Sequence, residues 1–244
     1  MTDIVAYCGL PPSPVTLLAR WNFDPLLAVA LAGLAGLHLA RLHRKGAALS
    51  LPALGWTIAA FCFLSPLCAL SVSLFSARIG QHMILALVAA PLIALGLPSR
   101  GSIRGLWGAA ALFAAALWFW HMPAPYSATF RSDLVYWSMH VSLFGSAILL
   151  WQGLLDVRPE RALPVLAVGA ASSIQMGLLG AVFAMSTRPL FAVHLATAPV
   201  WGLTPLADQQ LGGLLMWVPG LLFFLLAGAR TVHPLLKPSG FAGN

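Results

Sequence analysis

Seven apolar runs, each about as long as a lipid bilayer is thick, decide what this chain can fold into. They occupy residues 25–41, 52–74, 80–97, 105–121, 134–155, 162–186 and 210–229. A helix of about 20 apolar residues crosses a hydrocarbon core of about 30 Å. Pro, Gly, Ser and Arg punctuate the breaks, at Gly46 to Pro52, Pro98 to Gly105, Pro123 to Asp133 and Arg158 to Arg161. The third run is short and interrupted by Pro91. Composition agrees, since only 8% of residues are charged where a soluble domain carries roughly 25%. Most of the surface must therefore face lipid. The expected fold is an all-α, polytopic membrane helix bundle with about seven transmembrane helices. An outer N-terminal tail (1–24) precedes the bundle (25–229), and a cytoplasmic C-terminal tail (230–244) follows it.

Orientation follows from counting Lys and Arg on alternate sides of the spans. One side holds Arg41, Arg44, Lys45, Arg100, Arg104, Arg158, Arg161, Arg230 and Lys237; the other holds Arg20, Arg78, Arg131 and Arg188. Nine against four places the first set in the cytoplasm, with the N-terminus outside and the C-terminus inside. The net charge of +7 does not signal nucleic acid, because the basic residues lie singly or in pairs between apolar runs. The start, MTDIVAYCGLPPSPVTLL, lacks a charged segment ahead of an apolar core, so the first span is expected to direct insertion itself. Cysteines at 8, 62 and 68 give an odd count without framework spacing, and disulfides are not expected to hold the fold. Cys62 and Cys68 read as packing residues, and Cys8 as a dispensable residue of the tail.

On this topology four of the seven histidines gather at the outer face. His82 is expected to open span three, His121 to close span four, and His140 to lie about one and a half turns inside span five; His194 falls in the last outer loop. Methionines accompany them as His82-Met83, His121-Met122 and Met139-His140. Thioether and imidazole together suit Cu(I), a soft ion. Each histidine alone also reads as an interfacial hydrogen-bonding residue. The three on spans weigh more together, because polar groups inside a membrane are costly and tend to serve function.

Asp208, with Gln209 and Gln210 after it, opens span seven. It can cap that helix start, or orient a ligand imidazole through its free N–H, and both can hold. Trp118, Trp120 and Tyr126 in WFWHMPAPY read as an interfacial aromatic belt. No acid falls in the middle of a span and span seven has no lysine, which removes a carboxylate proton relay and a retinal Schiff base.

At these residues the chain resembles the seven-helix CtaG family of cytochrome c oxidase assembly factors. The resemblance runs through WNFDP from Trp21, QHMILALVAAPLIALGLP from Gln81, WFWHMPAPY from Trp118, Met139-His140, and PLADQQLGGLLMWVPG from Pro205. It implies a role in forming the copper B centre of a haem-copper oxidase, with subunit I as partner. The family's polar positions fall on His82, His121, His140, Asp208 and Gln209. Many members carry a histidine one turn before His82, where this chain has Arg78; Arg78 is expected to anchor the outer interface, or else to pair with Asp208.

The reading is thus a multi-pass protein of a bacterial inner (plasma) membrane, not an enzyme. His82, His121 and His140 are the candidate copper ligands, supported by Asp208, Gln209, Met83, Met122 and Met139. Two other readings remain open, a b-type haem protein ligated by two of these histidines and a metal permease.

Overall fold

Hydrocarbon offers no partner for a bare amide or carbonyl, so each apolar run must close its own backbone hydrogen bonds. The computed structural model describes residues 6–98, 102–156 and 158–236, and all of their spanning segments are helices. Arg100, Lys237 and the terminal Asn244 lie outside the described residues. Helix α1 (Pro25–Arg44) starts on Asp24, whose carboxylate accepts from the Leu26 and Leu27 amides, and it ends among Arg41, His43 and Arg44. Both ends complement the helix dipole.

The second span is a bent pair, α2 (Ser50–Leu64) and α3 (Pro66–Ser73), meeting at 53°. Pro66 has no amide to continue the ladder, and the Ser65 hydroxyl caps the new helix at the Leu67 amide. The third span runs from α4 (Phe75–Met83) through a wide π turn (Ile84–Ala89) into α5 (Ala90–Ala94). Pro91 explains the widening. Ala90 donates to Leu85, and the Ala86 carbonyl, which would next need an amide from Pro91, instead accepts from Trp151 Nε1 at 2.7 Å. This span is the pillar of the bundle, 67% buried where α1 is 11% buried.

The remaining spans are α6 (Ile103–Trp120), then, beyond the short helix α7 (Pro123–Ala128), α8 (Asp133–Leu154), α9 (Ala162–Ala184) and α10 (Pro205–Val232). Among the described residues six helices are long and apolar enough to cross a membrane, and the count is seven when the bent pair is taken as one span. The α9 and α10 backbones touch at Gly213, where a Cβ would fall 2.5 Å from the Ala184 amide nitrogen. Small residues permit this approach in membrane bundles.

Three expectations need correction. A Cys8–Cys68 disulfide joins the N-terminal tail to α3 across 60 residues, so Cys8 is not a loose tail residue, and of the former packing pair only Cys62 is a free, buried thiol. The third span begins at Phe75, five residues before the apolar run, and the last begins at Pro205. Polar residues there are carried into the bundle by hydrogen bonds that hydropathy does not register. His82 therefore does not open its span; it lies seven residues inside, about 10 Å along the axis. Loss of the disulfide by Cys68→Ser should lower stability, by up to about 2–4 kcal/mol if the tail is freed on unfolding. A thermal melt compared with and without reductant reads this directly.

Candidate metal-handling site at one end of the bundle

Three spans each deliver one imidazole to a cluster in which His82 touches the other two. His82 comes from α4, His121 from the C-terminal end of α6, and His140 from α8, two turns after its start. The His82 and His121 rings are 5.4 Å apart and the His82 and His140 rings 5.2 Å apart, each pair edge to face. All three side chains are at most 4% exposed.

Their hydrogen bonds fix the tautomers. The His121 Nδ1–H donates to the Leu117 carbonyl at 2.7 Å, satisfying one of the orphan carbonyls at that helix end. The His140 Nδ1–H donates to the Tyr136 carbonyl at 3.1 Å. Both rings therefore carry their lone pair on Nε2. His82 Nδ1 lies 3.4 Å from His121 Nε2 and must be the donor of that long contact, which leaves its lone pair on Nε2 as well. Among the described residues His82 Nε2 and His140 Nε2 have no partner. Leaving a polar atom buried and bare costs about 1–3 kcal/mol. Beside them is a cavity of about 10 Å³, lined by both rings, Met83 and apolar side chains such as Phe113 and Leu117. That is about the least space that one water or one ion needs. Among the described residues no three His, Cys, Asp or Glu side chains already surround one point as ligands, so the trio is gathered but not closed.

The remaining candidate residues divide. Met83 reaches the cavity. Met139 is fully buried in the core, and Met122 is half exposed. Asp208 accepts from the Phe75 amide at 2.7 Å, the Ser76 amide at 3.0 Å and the Ser76 hydroxyl at 2.5 Å. It thus caps α4, a different helix from its own, which Thr204 caps; no imidazole is among its partners. Gln209 accepts from the Leu190 amide at 2.6 Å and ties the loop before α10 to that helix. His194 is satisfied on both sides, by Ser73 O and the Tyr126 hydroxyl. Burial pushes its imidazole down to about 3, and the Arg78 charge adds to this.

Arg78 is neither an interfacial anchor nor the partner of Asp208. It is 1% exposed, with its guanidinium 4.2 Å from the Phe130 ring centroid, 5.2 Å from Tyr126 and 5.6 Å from Tyr136. One nitrogen donates to Thr129 Oγ1 at 2.9 Å. Aromatic faces attract a desolvated cation, which is how a buried charge persists here. Tyr126 is accordingly buried in this cage and not part of a surface belt, while Trp118 and Trp120 bond across helices to Gln175 and Ser142.

Tyr136 is the residue that sequence reasoning passed over. Its ring is 4.3 Å from His140, and its hydroxyl contacts the disulfide sulfurs at 3.3 and 3.7 Å. The signal available was its place four residues before His140, on the same helix face. Tyr7 of the tail stacks on it at 4.8 Å, so the tail is strapped over this flank of the histidines.

A family model described as cytochrome c oxidase caa3 assembly factor matches residues 34–108 and 106–236. No curated protein and no solved structure matches the chain.

Proposed function

The chain belongs to the caa3 family of cytochrome c oxidase assembly factors, and from that premise we propose that it holds copper in transit to a haem-copper oxidase. The destination is the copper B centre of subunit I, and the setting is a bacterial plasma membrane. Copper here is cargo, and the protein transforms no substrate.

The observation that carries this reading is the pair of bare imidazole lone pairs, His82 Nε2 and His140 Nε2, beside a water-sized cavity. Neutral imidazoles next to a thioether, Met83, make a donor set suited to Cu(I). His121 Nε2 can join if its long contact with His82 gives way. The Arg78 guanidinium, held one helical turn before His82, disfavours extra positive charge nearby. It therefore favours a monovalent over a divalent ion and keeps retention weak enough for release. A cavity of about 10 Å³ has no space for a haem macrocycle.

The test is Cu(I) loading of the purified protein in nanodiscs against a competing chelator. One Cu(I) per chain is expected, with no b-type band in the reduced-minus-oxidised spectrum. No retained copper, or a stoichiometric haem signal, overturns the reading.

The same reading puts this end of the bundle outside. Three Arg there, Arg20, Arg131 and Arg188, against nine Lys and Arg on the other side of the spans support it, as does a disulfide, since such bonds persist in oxidising compartments. In intact cells, an impermeant maleimide should label Cys8 only after an impermeant reductant is added. Labelling that requires permeabilised cells reverses the orientation.

A further inference from the structure

At the opposite end of the bundle, α1, α2 and the segment after α5 enclose a cavity of about 350 Å³. Its lining includes His38, Arg41 and Lys45 of α1, Trp56 of α2, and Gly96 and Pro98. Basic residues at a span end have an ordinary explanation, since they orient the protein in the bilayer. His38 is not covered by that explanation. It is 9% exposed and six residues before the end of α1, about 9 Å along the axis, within reach of the basic residues at that end.

Its tautomer is fixed. Trp56 Nε1 can only donate, and it lies 3.0 Å from His38 Nδ1. Nδ1 is therefore the acceptor, and the ring proton sits on Nε2. That N–H has no acceptor among the described residues. It faces Gly96 at close range: an atom placed where a Cβ would be lies 2.8 Å from Nε2 but also 2.7 Å from Leu42 Cδ1 and 2.9 Å from Pro52 Cγ, so a ligand atom reaches this donor when the flexible Leu42 tip moves aside. A buried donor thus lies, behind the Leu42 tip, on the wall of a cavity that carries two cations. Among the described residues neither Arg41 nor Lys45 forms an ion pair.

We propose that this cavity binds a phosphate group, His38 Nε2–H donating to one of its oxygens while Arg41 and Lys45 neutralise its charge. At this depth the source is the phosphodiester of an anionic membrane lipid, with its acyl chains along Leu34 and Leu37. Basic pockets between spans at the cation-rich side are suited to such head groups. The site is remote from the histidine trio and independent of copper.

The test uses the full chain in detergent, titrated separately with short-chain phosphatidylglycerol, phosphatidylcholine and inorganic phosphate, and read by intact-complex mass spectrometry and thermal melting. One phosphatidylglycerol should bind at least tenfold more tightly than phosphatidylcholine and raise the melting temperature. Competition by inorganic phosphate at equal concentration would support the phosphate site and reassign its source to the soluble ion. Arg41→Gln with Lys45→Gln should lower phosphatidylglycerol affinity at least tenfold without changing the melt in neutral detergent. If that double variant does not accumulate, His38→Phe serves, because it keeps an aromatic ring against Trp56 while removing the Nε2 donor, together with the Nδ1 acceptor of Trp56; it should weaken binding severalfold. Equal affinity for the two lipids with no response to phosphate, or variants that bind as the wild type does, overturns the proposal.

Discussion

Replacing His82, His121 or His140 by Ala should each lower oxidase activity in the host while the protein still accumulates in the membrane. Copper retention should fall at least as far as it does when a supporting partner is lost, about 10–100-fold. The three should behave as a unit, because His82 and His140 line the same small cavity and His121 Nε2 holds the His82 ring by its Nδ1–H. His43→Ala and His233→Ala, on the far side of the bundle, should leave both readouts unchanged. Accumulation is expected for the His82 and His140 variants because, among the described residues, their Nε2 atoms bond to nothing, so losing them breaks no contact made by those atoms. Truncation does leave a void, so each position should also be tested as His→Leu, which fills it. Three stable variants with wild-type copper retention and oxidase assembly would end the copper-site idea. Loss of the protein in the Leu as well as the Ala variants would make these histidines structural.

The spans were legible because the bilayer imposes one length on all of them. Every apolar run in the sequence became a helix, and the bend at Ser65-Pro66 falls inside one of them where Pro66 interrupts the amide ladder. The three histidines were legible for a related reason: an imidazole in an otherwise apolar span is expensive enough to stand out. What the sequence hid depends on contacts between distant segments. The Cys8–Cys68 bond pairs a tail residue with one 60 positions away, and an odd cysteine count argued against any bond. Arg78 looked like a surface anchor because its cage of Tyr126, Phe130 and Tyr136 comes from two other parts of the chain. The true start of the third span was masked by its own polarity, since Ser76, Arg78, Gln81 and His82 pull the hydropathy of Phe75–Met83 down. Each of those side chains is buried because another element meets it.

Asp208 is the strongest of those hidden contacts, and its removal should have the largest effect on stability. The carboxylate is fully buried and accepts two backbone amides and one hydroxyl at the start of α4. It also places negative charge at the positive end of that helix dipole. Asp208→Ala leaves three buried donors bare at once, which should cost about 3–5 kcal/mol given the usual penalty for each. The first turn of α4 should then fray, and with it the register of Arg78 and His82 one and two turns on. Such a protein should accumulate poorly or melt well below the wild type. Asp208→Asn keeps one carbonyl oxygen but sets an NH2 group against a donor, so its melt should fall between the two. The decisive comparison is copper retention by the folded fraction of Asp208→Asn. Because the carboxylate touches no imidazole, retention per folded molecule should match the wild type, and all of the loss should be in the amount of folded protein. An Asp208→Asn protein with a normal melt that has lost its copper would show instead that Asp208 acts on the histidine site itself, and that its capping of α4 is the lesser role.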